Sequence, residues 1–242
     1  MKKILPALLL AAAPLTTYAD TLGFTIGAGA WDHEPSGPVS YEGGDIDVAN
    51  DLGMESDTEA FYYAVLEHPI PIIPNIRVQH TDLSSSGDGT INATFGGYPY
   101  HEEVSSELVL NNTDVTLYYE VLDTMVGLDL GLTARNLDGS IELVGKTTGQ
   151  TEKQTFNGWA PMVYGEASLD LPLGFQVGVM GNVLFYGKSE MSDYLARLSW
   201  ESSLGLGVMA GYRQMTVELD DFDDVSTNVK EKGPFAAAFF HF

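Results

Sequence analysis

The chain has 242 residues, 34 of them acidic and 11 basic, for a formal net charge of −23, and it has no cysteine. So acidic a chain repels phosphates and excludes a nucleic-acid partner, and without cysteine there are no disulfides, thiolate metal sites or cysteine nucleophiles. Past the amino-terminal segment no apolar run exceeds about seven residues, far short of the ~20 that a helix needs to span a bilayer, so any crossing has to be made by strands.

The chain opens with Lys2 and Lys3, an apolar stretch from Ile4 to Leu15 interrupted by Pro6 and Pro14, and Thr17-Tyr18-Ala19 before Asp20. This three-part layout predicts a cleaved secretory signal peptide over residues 1–19, leaving residues 20–242 as one β-barrel domain. The first strand is expected from Thr21 to Trp31, with Leu22, Phe24, Ile26, Ala28 and Ala30 on one face and Thr21, Gly23, Thr25, Gly27 and Gly29 on the other. A long loop from Asp32 to Thr58 follows, in which Ile46 and Val48 are expected to prolong strands above a membrane. The second strand runs from Glu59 to His68, and the prolines of 69–74 form a tight turn that cannot sit inside a sheet.

The third strand, Asn75 to Ser84, leads into a second long segment from Ser85 to Ser105, with turns marked by Gly87-Asp88-Gly89 and Gly96-Gly97. Residues Thr90 to Tyr100 read either as an extra hairpin or as loop. Strands are expected from Ser106 to Leu122 and from Val126 to Leu143, joined by Asp123-Thr124-Met125, then a polar loop from Val144 to Asn157. Four more follow at Gly158 to Asp170, Phe175 to Lys188, Met191 to Glu201 and Leu204 to Leu219, then a last loop from Asp220 to Asn228 and a closing strand from Val229 to Phe242.

Short connections therefore alternate with long ones, as in bacterial barrels with short periplasmic turns and long outer loops. The expected fold is all-β, a closed antiparallel up-and-down transmembrane β-barrel of about ten strands, with eight or twelve also open, both termini periplasmic and the long loops extracellular. A soluble β-sandwich would carry polar outer faces, whereas here Trp200, Phe175 and Phe242 stand near the short turns and Tyr212, Phe185 and Trp159 near the long loops, as interface girdles do.

With the apolar parity given to lipid, the other parity lines a wet, ionic lumen. All four arginines, Arg77, Arg135, Arg197 and Arg213, fall on it, together with Glu67, Glu120, Asp129, Glu166, Asp170 and Glu201. In so narrow a barrel opposite charges are expected to pair into a network that shuts it. A narrow channel for water or small solutes is the alternative, and an outer-membrane hydrolase or lipid-modifying enzyme a second.

His80 shares a face with Ile76 and Val78 and should look outward, away from any cleft. His33 and His101 are assigned to loops, and no GxSxG or HExxH signature occurs. The chain is read as carrying no catalytic site and no cofactor. Asp45, Asp47, Asn50 and Asp51 in the first loop, and Asp220, Asp221, Asp223 and Asp224 in the last, are hard oxygen ligands of the kind calcium takes, without EF-hand spacing. They are weak candidates for a metal or for divalent-cation bridges to lipopolysaccharide.

The carboxy terminus reads FAAAFFHF, with Phe240 and Phe242 on one face. A terminal Phe with a second aromatic two residues earlier resembles the closing strand of outer-membrane barrels, where it is the assembly address. With the signal peptide, GDIDVANDLG at Gly44 to Gly53 and the alternating strands, the whole mature chain resembles a family of small gammaproteobacterial outer-membrane β-barrel proteins of unestablished function. The resemblance implies a barrel fold and an outer-membrane location, and the chain is read as a monomer whose partners are lipid, lipopolysaccharide and the barrel assembly machinery. The resemblance implies no active site.

Overall fold

The computed structural model describes residues 22–186, 189–222 and 224–242. The expected signal peptide, Asp223, and the side chains of Asp221 and Phe185 lie outside the described residues.

The described strands in chain order are β1 (Gly23–Ser36), β2 (Pro38–Tyr41), β3 (Ile46–Asp47), β4 (Asp57–Glu67), β5 (Asn75–Thr81), β6 (Ser84–Phe95), β7 (Tyr98–Asp123), β8 (Val126–Gly145), β9 (Thr151–Leu171), β10 (Phe175–Tyr186), β11 (Ser189–Glu201), β12 (Leu206–Phe222) and β13 (Val225–His241). All pairing is antiparallel, in the order β1-β4-β5-β7-β8-β9-β10-β11-β12-β13, and β13 pairs back onto β1. That is a closed ten-strand barrel. Closure matters because a strand edge facing hydrocarbon would leave every second N–H and C=O without a partner. The seam is finished by the last residue: Phe24 and Phe242 exchange N–H···O bonds of 2.8 and 2.9 Å.

The two-residue period separates the faces. On β8 Leu128, Leu130, Leu132 and Ala134 point outward while Asp129, Thr133 and Arg135 point in. The outer face of the barrel is an apolar belt, with Trp159, Tyr194 and Tyr212 toward one edge and Trp200, Phe175 and Phe242 toward the other, all exposed. The apolar stretch of β8, Val126 to Ala134, matches the 9–11 residues that a tilted strand needs to cross a bilayer.

The strands do not stop at the belt. β7 has 26 residues, β8 has 20 and β9 has 21, so each carries roughly as many residues again beyond it. Most of what the sequence suggests as long loops is this strand extension. The segment from Ser85 to Ser105 is β6 and the start of β7, paired from Ser84↔Val109 to Phe95↔Tyr98, and only Gly96-Gly97, with φ of 59 and 72°, forms a turn. Thr90 to Tyr100 is the tip of this hairpin, and β5 and β6 form one strand interrupted at Asp82-Leu83, both on β7. The expected loop at 144–157 shrinks to residues 146–150. Backbone pairing explains the difference: polar outward residues hid strands whose N–H and C=O groups still pair with one another.

The first loop is the exception, and it does not rise above the strands. β2 adds to the end of β13 and β3 pairs β2. The chain then turns back on an Asp47 carboxylate that accepts the N–H groups of Ala49 and Asn50 at 3.1 and 2.8 Å, an Asx turn. Ile46, Val48, Leu52 and Met54 are all buried, in one cluster with Leu83, Ile91, Phe95, Tyr100, Ile141 and Leu143. Ile46, on β3, thus continues the sheet beyond β2 with its side chain buried, whereas Val48 leaves the wall and fills the interior of the extension. Apolar side chains on the inner faces of the hairpins need a cover, and this loop is the segment long enough to reach them.

Candidate functional site

The lumen is layered. At the hairpin end it is the apolar packing just described. Below it, at the height of the upper edge of the belt, a buried polar septum crosses the barrel. Arg135, from β8, donates Nε and Nη2 to Asp114 on the neighbouring β7 at 2.7 and 2.6 Å, and Nη2 also to Asp193 on β11 at 2.6 Å. Asp193 in turn accepts Nε and Nη2 of Arg213, from β12, at 2.9 and 2.7 Å. Arg213 completes its set on the Thr81 hydroxyl at 3.2 Å and stacks over Trp31, whose ring centre lies 4.6 Å away. Two guanidiniums and two carboxylates balance, and Arg135 has no exposed surface at all. A neutral chain runs beside them, in which Thr116 and Thr133 hydroxyls lie 2.7 Å apart and Thr133 donates to Asn182 at 2.7 Å.

His33 belongs to this level too, not to a loop as its sequence context suggests. It sits on the inner face of β1, fully buried, with Nδ1 2.9 Å from Glu231 of β13 and its ring 5.4 Å from Trp31. Its Nε2 is buried with no hydrogen-bond partner.

Toward the short-turn rim the lumen opens into a cavity of about 1020 Å³. On its polar side Arg197 pairs with Glu166 at 2.6 Å, and Glu166 also accepts the Tyr164 hydroxyl at 2.8 Å. Arg197 reaches Gln176 at 3.0 Å, Gln176 reaches Asp170 at 2.9 Å, and the Tyr118 hydroxyl donates to Glu67 at 2.7 Å. Arg77 bonds Gln79 at 3.0 Å and lies 4.9 Å over the Tyr63 ring. Glu201 is 3.4 Å from His241 at the mouth. Glu120, Asp129 and Glu166 stand directly opposite one another on β7, β8 and β9.

The ten charged residues read from the sequence as a lumenal network thus all lie on the inner face, at two levels. Arg135 and Arg213 belong to the septum, while Arg77, Arg197, Glu67, Glu120, Asp129, Glu166, Asp170 and Glu201 line the cavity. The reading missed Asp114 and Asp193, although parity places Asp114 with Tyr118 and Asp193 with Arg197. It also took the lumen to be ionic throughout. The wall formed by β12, β13, β1 and β4 is apolar, with Phe61, Val65, Met209, Phe235 and Phe239 facing in and Phe61 and Phe235 packed edge to face at 5.9 Å. Room for these rings comes from residues without side chains: a Cβ on Gly27 would stand 2.4 Å from the Tyr63 ring, and one on Gly207 would stand 2.1 Å from Phe239.

His80 faces outward on β5, with Nδ1 2.8 Å from the Thr113 hydroxyl and Nε2 3.2 Å from Asp82. His101 is in β7, not in a loop, exposed and bonded to Asn92. Among the acidic candidates Asp47 and Asp51 are engaged by backbone N–H groups, Asp51 accepting that of Asp47 at 2.9 Å. Asp45 and Asp220 border a small surface hollow, and Asp224 sits at the β12–β13 turn with φ of 64°. Among the described residues no three His, Cys, Asp or Glu converge as metal ligands. On the hairpin extension the Thr148 hydroxyl and the N–H groups of Thr147 and Thr148 hold the Glu102 carboxyl below its ordinary pKa, fastening the β8–β9 turn.

No protein-family model and no curated protein sequence matches the chain. Solved structures do. The outer membrane protease OmpT from Escherichia coli superposes with a TM-score of 0.56 at 10% identity, over 93% of this chain and 98% of that one. Ail, the attachment invasion locus protein of Yersinia pestis, gives 0.38 at 11% identity over 91% and 99%, and the transport unit of the Escherichia coli autotransporter AIDA-I gives 0.41 at 11% over 97% and 94%. At such identities what the chain shares with OmpT is its fold, a closed antiparallel β-barrel of the kind that this outer-membrane protein has.

Proposed function

We propose that the protein is an integral outer-membrane barrel that conducts nothing, with a structural or surface-interaction role. The observation that carries this is the double obstruction of the lumen, by the buried septum of Arg135, Asp114, Asp193 and Arg213 and by the first loop packed into the hairpin end. A solute following the axis would have to break ion pairs that hold one another away from water and then displace an apolar core. Each step costs several kcal/mol.

The signal-peptide pattern of residues 1–19 and the adjoining ends of the mature chain support an orientation with the short turns in the periplasm and the hairpin extension outside the cell. The outward Phe240 and Phe242, whose rings lie 5.1 Å apart, serve in this reading as the assembly address. The belt meets lipid, the barrel works as a monomer, and the polar hairpins stand among lipopolysaccharide headgroups. Proteolysis, which belongs to OmpT, has no support in this chain's own geometry: His33 and Glu231 are sealed from solvent, and His80 faces away from the lumen.

Planar-bilayer recording tests the reading. The refolded mature chain is expected to give no conductance steps, and steady single-channel openings would overturn closure in favour of a narrow channel.

A further inference from the structure

The cavity at the short-turn end has no part in closing the barrel, and its walls are sorted by chemistry. About 1020 Å³ is at the upper end of the range for small-molecule sites. One side is the smooth aromatic wall of Phe61, Phe235 and Phe239, laid over glycines. The facing side is acidic. Seven carboxylates line the cavity against three arginines, and one of those, Arg213, is already committed to Asp193 in the septum.

The acidic side is also arranged against its own interest. Glu120, Asp129 and Glu166 occupy directly opposed positions on three adjacent strands, and like charges so placed repel. Arg197 makes a direct ion pair with Glu166. Here the row faces open volume, with tyrosines 118 and 164 beside it, their ring centres 5.7 Å apart.

From this geometry we infer that the cavity is a binding site for a small amphipathic cation, a molecule with an aromatic or aliphatic body and an ammonium or amidinium group, admitted from the short-turn rim. The apolar body lies on the wall of Phe61, Phe235 and Phe239, and the cation sits before Asp129 between Glu120 and Glu166. The septum floors the site, so the ligand binds and leaves by one mouth. That last point rests on the closure proposed above, whereas the sorting of the walls does not.

The test uses the refolded mature chain in nanodiscs of zwitterionic lipid and three dansyl probes that share one alkyl body and end in ammonium, hydroxyl or carboxylate. Trp31, stacked over Arg213 at the floor of the cavity, acts as energy donor in the variant that retains only this tryptophan. The ammonium probe is expected to bind saturably, one per barrel and at least tenfold tighter than the other two. Asp129→Asn with Glu120→Gln should weaken it about tenfold, and Ser168→Trp, which fills the cavity from the inner face of β9, should abolish it, both variants retaining the heat-modifiable gel mobility of the folded barrel. Equal affinity for ammonium and carboxylate probes, or binding that survives Ser168→Trp, would overturn the site and place the probe on the belt or in the lipid. Conductance plays no part in this readout, so failure here leaves barrel closure standing, and a conducting barrel leaves the site testable.

Discussion

At the scale of single residues the septum is held by Asp193. Its two oxygens take three donors from Arg135 and Arg213, so it bridges two cations, of which Arg135 is also paired with Asp114. Asp193→Asn keeps the shape and removes the charge, leaving an uncompensated guanidinium with almost no exposed surface. Breaking such a pair from one side costs about 3–5 kcal/mol, whereas replacing both partners with apolar groups is far milder. Urea titration of the refolded barrel, followed by gel mobility, should show that loss for Asp193→Asn and a much smaller one for the double replacement of Arg135→Met with Asp114→Leu. A single variant as stable as the parent would mean that the septum contributes little to the fold.

The element that decides the hairpin end is the first loop. It reaches its seat only because β6 presents bare backbone there: a Cβ on Gly89 would stand 1.9 Å from the Asp51 carbonyl oxygen, and one on Gly87 would stand 2.5 Å from the Gly53 carbonyl carbon and the Met54 nitrogen. Contacts under 3 Å with backbone cannot be relieved by a side-chain rotation, so the loop has to lift. Gly89→Val is therefore expected to leave the barrel folded and to expose residues 43–55 to proteinase K. Cleavage there, absent in the parent, is the readout, and continued protection would show that the loop is held elsewhere.

Across the whole molecule the two faces of every barrel strand meet different surroundings. The three tryptophans report on it: Trp159 and Trp200 are 65% and 39% exposed on the outer face, and Trp31 is 0% exposed on the inner one. In bilayers with brominated acyl chains, single-tryptophan variants retaining Trp159 or Trp200 should be strongly quenched and the one retaining Trp31 should not. Quenching of Trp31 alone would turn the barrel inside out.

What the sequence determined by itself is whatever has a period of two. Leu128, Leu130 and Leu132 against Asp129, Thr133 and Arg135 are enough to assign lipid and lumen sides, because a strand offers a side chain only those two directions. The count of ten strands and the outward histidine at 80 follow from the same alternation and its interruptions. Where outward residues turned polar, at Ser86 to Asn92, at His101 to Ser105 and at Thr151 to Asn157, the pattern lost its apolar half and strands read as loops. Tertiary structure alone decided who meets whom. His33 and Glu231 are 198 residues apart and Arg213 and Thr81 132 apart, and only closure of β13 onto β1 and the shear of the strands bring them together. The same closure chose which lumenal wall is aromatic, and it sent Val48 and Leu52 inward, since a local pattern fixes a direction along the strand but carries no information about the opposite side of a cylinder.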